Sequence, residues 1–447
     1  MKSDRNSHKL ADAVTALVEA ARKAGADAAD AVAVRGASRS VSVRLGKVEA
    51  TESSESDDLS LRVFVGRRVA SVSANAGADP ARLAERAVAM ARVSPEDPHQ
   101  QIAEPSQLAQ GDLDLDLLDD SDIATARLTE DALATEAAAL AVGGVTNSGG
   151  GSASAGSGGL VLATSAGFLG TYLATRFGRS VSVIAERDGK MERDWDYSSR
   201  LHFADLDAAE VVGRRAGERA VKRLGAKKPR TGPMSVVFDP RVARGLAGSL
   251  AAAINGASVA RKTSFLRDRM GEAVANPAIT LVDDPQLRRG QASRPFDGEG
   301  LRGQRLAMVE NGVLHHWFLS LSAAHELGLA TNGRGVRSAS SVSPASTNVW
   351  IEPGAVSAAS MIGAIADGVY ITEVFGQGVN MVTGEYSRGA SGFLIQNGEL
   401  TAPVSEFTIA SNLKDMFRSM IPADDLDRNY ATAAPTLFIG TMTVAGA

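Results

Sequence analysis

Residues 235–253, SVVFDPRVARGLAGSLAAA, decide how the second half of the chain is built. The run SVVF contains two valines and a phenylalanine, which are typical of a buried strand. Asp239 accepts hydrogen bonds from free N–H groups at a helix start, and Pro240 fits the first helical position. One helical face then carries the apolar residues Val242, Leu246, Leu250 and Ala253. The stretch therefore predicts a strand that leads into a capped helix with one buried side.

A basic segment with two prolines precedes this stretch. It reads GAKKPRTGP at 225–233 and separates a predicted helix from the strand, which is typical of a linker. Beyond about residue 275, glycine and proline interrupt the chain repeatedly, which favours strands and turns. We therefore predict an N-terminal α+β domain at 1–225, a linker at 226–233 and a C-terminal β-rich domain at 234–447.

The N-terminal part switches between helical and strand periodicity. One helical face unites Leu10, Val14, Leu17, Val18 and Ala21. Polar and apolar residues then alternate over 41–45, 59–65 and 69–73, which predicts an antiparallel meander with one buried face. The fold class that we predict is α+β: helices and this meander first, then a mainly β domain entered by the capped helix.

Three further segments complete the N-terminal part. Asp79-Pro80 repeats the helix-start signal, and helices are also predicted over 123–142 and from Asp205 to about residue 224. Residues 143–159, GGVTNSGGGSASAGSGG, lack the Lys-Ser or Lys-Thr of a phosphate-binding loop. We interpret this segment as a flexible loop or a glycine-rich turn region.

The composition excludes several classes of protein. The 447 residues carry a formal charge of −5, which argues against nucleic-acid binding. The chain has no cysteine, so disulfides, thiolate nucleophiles and iron–sulfur clusters are excluded. No apolar run is long enough to span a membrane, and the N-terminus lacks an apolar signal core. We therefore expect a cytoplasmic protein without a membrane partner.

Histidine-based metal motifs fail when they are checked by spacing. His325-Glu326 would need a second histidine at 329 or 330, where Leu329 and Ala330 stand. We therefore interpret His325 as a polar residue near a helix C-terminus. An independent metal site from scattered ligands such as His202, His315 or Glu373 stays an alternative.

The most unusual local run is GQGVNMVTGEYSRGASG at 376–392, which combines glycines with polar side chains. Glycine allows a backbone to approach a ligand or another chain closely. The candidate substrate- or partner-binding residues are Gly376, Gly378, Asn380, Gly384, Tyr386, Ser387, Arg388 and Gly389. An extended peptide that adds to a sheet edge here is one hypothesis. Two tight turns between strands are the alternative.

The run ITEVFGQGVNMVTGEYSRGASGFLIQNGELTAPVSEFTIASNLKDMF at 371–417 resembles the C-terminal signature of the TldD/PmbA family, in its PmbA (TldE) branch. GADAADAVAV at 25–34, VSVRLGKVEATE at 41–52, the segment at 300–335 and NVWIEPG at 348–354 are similar in the same order. The resemblance implies intracellular metallopeptidases that act on short, unfolded peptides, including peptide-antibiotic precursors and labile antitoxins. An older family label is modulator of DNA gyrase.

In the TldD branch, the resemblance implies a helix that carries HExxxH and a later cysteine at the metal site. The corresponding region here is Ala247, Gly248 and Ala252, and no histidine occurs between residues 203 and 314. We therefore expect no catalytic residue and no metal on this chain. Zinc is expected on a TldD-type partner subunit, with unfolded peptide as the substrate. The alternative is a non-catalytic homodimeric binding or regulatory protein.

Overall fold

The computed structural model describes residues 2–338 and 341–447, with side chains from Lys9 onward. Helices and antiparallel strands share the N-terminal part, and the C-terminal part is mainly β, which confirms the predicted α+β class. None of the helices within the described ranges combines the length and hydrophobicity that a membrane span needs.

The N-terminal part is built on a six-stranded antiparallel sheet of order β3-β2-β1-β4-β5-β6. Its strands are β1 (Ala28–Arg44), β2 (Lys47–Val65), β3 (Arg68–Asn75), β4 (Val145–Thr164), β5 (Leu169–Arg187) and β6 (Lys190–Arg200). The predicted meander is confirmed as β1, β2 and β3, although the first two strands are much longer than the alternation indicated. Leu45 and Gly46, with φ of 50° and 73°, form the tight turn between β1 and β2.

The prediction of a loop at residues 143–159 is wrong. Nearly all of this segment belongs to β4, which pairs with β1 on one side and β5 on the other. Glycine, serine and alanine give no apolar alternation, so the sequence pattern resembles a linker. Two neighbouring strands fix the segment as a strand by main-chain hydrogen bonds, which sequence periodicity does not report.

Four helices cover one face of this sheet: α1 (Lys2–Lys23), α2 (Pro80–Val93), α3 (Thr125–Leu140) and α4 (Ala209–Lys222). Asp79 caps α2 as predicted and accepts the Ala81 N–H at 2.9 Å. The last helix begins at Ala209, whereas Asp205 lies in a preceding 3₁₀ turn. α3 and α4 pack so closely that a Cβ at Gly217 would lie 2.9 Å from the Ala139 carbonyl oxygen.

The C-terminal part contains thirteen strands and five helices among the described residues. The strands are β7 (Gly232–Phe238), β8 (Leu281–Asp284), β9 (Leu306–Glu310), β10 (Val313–Leu314), β11 (Gly335–Arg337), β12 (Val342–Pro344), β13 (Asn348–Ile351), β14 (Asp367–Phe375), β15 (Glu385–Gln396), β16 (Glu399–Asn412), β17 (Ile421–Pro422), β18 (Thr432–Ala433) and β19 (Leu437–Ala445). The helices are α5 (Pro240–Ala253), α6 (Gly256–Ala260), α7 (Leu321–Glu326), α8 (Ala358–Gly363) and α9 (Leu413–Ser419).

A closed barrel organises this part. Strands β16, β15, β14, β7 and β19 pair in that order, and β16 pairs again with β19. A second sheet has the order β10-β9-β8-β13-β18, and α5 contacts strands of both sheets. Phe238, Leu246 and Leu250 are fully buried between them. The predicted strand and capped helix at 235–253 therefore form the centre of the C-terminal core.

A buried cluster of charged groups joins the two parts of the molecule. Asp30 of β1 pairs with Arg62 of β2 at 2.6 Å and with Arg337 of β11 at 2.7 Å. Glu299 lies against this cluster and accepts the Leu321 N–H at 2.8 Å. Burial, and next the neighbouring carboxylate of Asp297, raise the pKa of Glu299 to about 8. The interface therefore holds a buried acid whose pKa lies well above its ordinary value.

Candidate functional site

The capped helix α5 lies where the two parts of the molecule meet. Asp239 caps it by accepting the Arg241 N–H at 2.9 Å, and the Tyr370 hydroxyl donates to the same carboxylate at 2.9 Å. Burial, and then the charge of Asp239, raise the pKa of Tyr370, so its hydroxyl stays a donor. These bonds fix the start of the helix against β14.

One side of α5 is accessible and carries only small groups. Gly245 and Ala252 are exposed, and Gly248 and Ser249 are half-exposed. A Cβ at Gly248 would meet only the Thr432 methyl group, at 3.9 Å. Ala247, the first of the three positions aligned with HExxxH, instead points into the core.

The residues present do not fit a zinc site. Helix α5 contains no histidine, cysteine, aspartate or glutamate at any position, and catalytic zinc sites use three such ligands. Within the described part of the chain, no group of three or more His, Cys, Asp or Glu side chains is arranged to hold a metal ion. Helix α5 therefore offers none of the side chains that ordinarily bind zinc.

The scattered alternative ligands are engaged separately. His202 contacts the Asp116 carbonyl oxygen at 2.9 Å, and Glu373 pairs with Arg223 at 2.7 Å. The ring of His315 lies beside that of His316, with 6.5 Å between the ring centroids. These residues therefore do not converge on one metal site.

His325 lies near the C-terminus of α7, as predicted. Its ring packs edge-on against that of His99, with 5.5 Å between centroids. The contact joins a loop of the N-terminal part to the C-terminal part.

Charged pairs hold the start of α5 against β6 of the N-terminal sheet. Arg241 donates to Asp194 at 2.9 Å, and its guanidinium lies 5.6 Å from the Trp195 ring centroid. Burial would lower the pKa of Arg241, but the hydrogen bond and charge of Asp194 outweigh it and raise that pKa. Sequence analysis missed this network because residues far apart along the chain build it.

A cavity of about 220 Å³ lies beside these pairs. Arg244, one turn further along α5, donates to the Tyr197 hydroxyl at 2.9 Å. The guanidinium of Arg244 also lies 4.9 Å from the ring centroid of Tyr430. Asp425 and Asp427 also line the cavity, so its charges are mixed and favour neither an anion nor a cation.

The segment at 376–392 forms a turn that internal main-chain hydrogen bonds close, and it continues into β15. Asn380 donates its N–H to the Glu385 carbonyl at 2.9 Å, and Ser387 donates to the Gly378 carbonyl at 2.7 Å. A Cβ at Gly378 would overlap the Ser387 carbonyl oxygen, so only glycine allows this approach. Gly384 has a φ of +87° and supports the second bend.

The candidate binding residues separate into two groups. Gly378, Asn380, Tyr386 and Ser387 line a depression of about 500 Å³ together with Ala410 and Ser411 of β16. The other four candidates, Gly376, Gly384, Arg388 and Gly389, do not line it. Tyr386 is 4% exposed, and burial raises its pKa to about 12.

Strand addition at this turn does not fit the structure. β15 pairs with β16 along one edge, and β14 and the turn itself occupy its other edge. Because both edges of β15 are hydrogen-bonded, a peptide strand has no free main-chain groups to join there. Binding at this turn would use side chains and the depression instead.

Family models match the chain as three successive metallopeptidase domains. PmbA/TldA metallopeptidase domain 1 matches residues 29–91, the central domain matches 118–224, and the C-terminal domain matches 231–446. The chain therefore belongs to the TldD/PmbA metallopeptidase family, in its PmbA (TldE) branch. The resemblance predicted from 371–417 is confirmed.

Relatives with high coverage agree with this assignment. Metalloprotease PmbA of Escherichia coli O157:H7 is 35% identical over 443 residues, covering 98% of this chain and 96% of that protein. The Metalloprotease PmbA homolog of Haemophilus influenzae is 34% identical over 445 residues, with the same coverage of 98% and 96%.

Solved structures share the whole architecture. A candidate modulator of DNA gyrase from Bacteroides thetaiotaomicron superposes with a TM-score of 0.90 at 26% identity and covers 100% of both chains. TldE from Thermococcus kodakarensis gives a TM-score of 0.85 at 19% identity, covering 96% of this chain and 99% of that one. The second comparison shows the fold alone.

Proposed function

We propose that this chain is the metal-free subunit of a two-subunit metallopeptidase that degrades or trims short, unfolded peptides. In this proposal, a TldD-type subunit supplies the zinc and the general base, and this chain completes a closed chamber around the substrate. The observation that carries the proposal is α5, which keeps its cap and its buried stripe but has no metal-binding side chain. Membership of this family supports a role in peptide hydrolysis. The lack of metal-binding side chains on α5 supports placing the catalytic metal site on another subunit.

The turn at 376–387 supports a role in contact with partner or substrate. Two large apolar side chains are exposed here, Phe375 at the end of β14 just before the turn and Val382 within the turn, with exposed fractions of 48% and 55%. The depression of about 500 Å³ lies on the same turn. Exposed apolar groups beside a depression are typical of contact surfaces.

Native mass spectrometry tests the proposal on tagged protein purified from its own host, with metal content measured on the same sample. We expect a second chain of similar size with about one zinc per heteromer, since a catalytic zinc site needs one ion. We also expect no peptidase activity from this chain alone. Robust hydrolysis by the isolated chain, or one tightly bound metal per copy of it, would contradict the proposal.

A stable metal-free homodimer would instead favour a binding or regulatory protein. To separate that outcome from a partner lost during purification, the same preparation should be mixed with the HExxxH-bearing homologue encoded in the same genome. Restored peptidase activity that exceeds the sum of the separate chains would support the heteromer.

A further inference from the structure

The second strand of the N-terminal sheet has a long free edge. β2 pairs with β1 from Lys47 to Phe64, whereas β3 covers it only from Asp58 to Val65. The last bond on the β3 side is the one that the Ala76 N–H donates to the Asp57 carbonyl at 3.0 Å. Residues 47–56 therefore have no strand beside their outer edge among the described residues.

The alternation of an antiparallel strand identifies the free main-chain groups. Asp57 directs its carbonyl away from β1, and residues two apart point the same way. Glu55, Ser53 and Thr51 therefore direct their N–H and C=O groups outward, which leaves six hydrogen-bonding groups for another strand. Their side chains, and those of Ser54 and Ser56 on the opposite face, are exposed.

This edge is strongly acidic. The segment KVEATESSESDD at 47–58 contains five carboxylates and one lysine. Among the residues that the structure describes, Asp57 is the only one of these five that forms an ion pair, with Arg35 at 3.5 Å. Glu49, Glu52 and Glu55 make no ion pair with any residue that the structure describes.

The charge decides which chain fits the edge. A second copy of this strand, in either direction, would bring carboxylates against carboxylates, which destabilises cross-strand pairs. An edge strand with lysine or arginine at alternate positions would give opposite-charge pairs and satisfy the free main-chain groups. We propose that residues 47–57 pair with a basic edge strand of the other subunit, extending the sheet from one chain into the next.

This inference rests on the heteromer proposed above and names the surface that forms it. Charged residues also protect edge strands against unwanted pairing. Pairing with the other subunit and protection against unwanted pairing can be distinguished by experiment. If the charges were only protective, changing them would not weaken binding to the other subunit.

The first experiment reverses the charge of the edge. Glu49→Lys, Glu52→Lys and Glu55→Lys are combined, and the matched control combines Glu85→Lys, Glu310→Lys and Glu399→Lys, which are exposed acids elsewhere. We expect at least a tenfold loss of affinity for the metal-bearing subunit in the edge variant and less than a twofold change in the control. Equal losses, or no loss in the edge variant, would overturn the proposal.

Two proline variants separate main-chain pairing from charge. The Ser53 N–H points outward, so Ser53→Pro should leave the thermal midpoint nearly unchanged but abolish partner binding. The neighbouring Ser54 N–H points toward β1, so Ser54→Pro should lower the thermal midpoint. Partner binding that survives Ser53→Pro would overturn the proposal.

Cross-linking locates the partner strand. Because the chain has no cysteine, Ser53→Cys gives a single position for a photoreactive maleimide. The cross-link should map to an extended, Lys- or Arg-bearing segment of the metal-bearing subunit. A cross-link to a second copy of this chain would overturn the inference and leave the proposed function standing, whereas failure of the wild-type protein to bind the metal-bearing homologue on mixing would overturn both.

Discussion

The two parts of this molecule differ in whether their main sheet has free edges: the C-terminal barrel is closed, whereas the N-terminal sheet is open. The barrel closes on itself through the pairing of β16 with β19, and its interior is filled by large apolar side chains. The N-terminal sheet stays open, and the middle of β4 consists of glycine, serine and alanine. The barrel is therefore stabilised by its own core. The stability of the N-terminal sheet depends instead on the helices packed on it and on its contacts with the C-terminal part.

The largest expected effect lies in the core of the C-terminal part. Leu250 of α5 is fully buried between two sheets, so Leu250→Ala should lower the free energy of unfolding by ~3–5 kcal/mol. Urea denaturation would measure the loss. Gly248→Ala is the control on the accessible side of the same helix and should be neutral or stabilise by up to ~1 kcal/mol. Similar losses in both variants would contradict this account of α5.

The second-largest effect is expected at a buried ion pair between a strand of the second sheet and Arg334. Asp283 of β8 and Arg334 are fully buried and lie 2.7 Å apart. Asp283→Asn leaves the guanidinium without its counter-charge and should cost ~3–4 kcal/mol by thermal or chemical unfolding. Asp284→Asn removes a half-buried carboxylate next to it and should cost under ~1 kcal/mol. A small effect of Asp283→Asn would mean that Arg334 is neutralised by other groups.

The interface between the two parts should respond to pH. Folding raises the pKa of Glu299 from 4.5 to about 8, so the folded chain retains a proton that the unfolded chain releases. Its contribution to stability is complete below pH 4.5 and is lost as the pH rises through 8. Glu299→Gln keeps an acceptor for the Leu321 N–H and removes this titration.

Unfolding measured between about pH 6 and 9 checks this prediction. The wild type should lose ~2–3 kcal/mol more than Glu299→Gln over that range, because one pKa unit corresponds to ~1.4 kcal/mol. Glu310→Gln, at an exposed position, should follow the wild type. Parallel pH profiles for wild type and Glu299→Gln would contradict a raised pKa at this interface.

The smallest expected effect tests the glycine-rich strand. At Gly158 a Cβ would lie 3.5 Å from the Arg35 carbonyl oxygen, an ordinary contact. Gly158→Ala should therefore stabilise the sheet by ~0.5–1 kcal/mol. At Gly159 a Cβ would lie 2.6 Å from the Tyr172 carbonyl oxygen, and Gly159→Ala should destabilise by ~1–3 kcal/mol. The same sign at both positions would show that β4 is not packed as described.

Local signals in the sequence were enough to predict local structure. Asp79-Pro80 and Asp239-Pro240 both mark helix starts, because the aspartate cap and the proline act within one turn. The strand and helix at 235–253 were predicted for the same reason. Barrel closure was not, since β16 and β19 are brought together only by the complete fold.

The features of the candidate site also differ in whether a local sequence pattern could predict them. The absence of metal ligands on α5 can be read directly from residues 240–253. The depression at the 376–387 turn could be anticipated only as an unusual glycine-rich run, without its geometry. The pairs between Arg241 and Asp194 and the acidic free edge of β2 depend on strand pairing, which no local pattern in this chain reports.

Barrel closure also sets an order of events during synthesis. The N-terminal sheet has all six strands once Arg200 has been made, whereas β7 must wait about 200 residues for β19 to leave the ribosome. Until then, both β7 and β16 lack a neighbour, and unpaired strand edges favour aggregation. The nascent chain therefore presents a finished sheet first, and its barrel remains vulnerable until the last strand arrives.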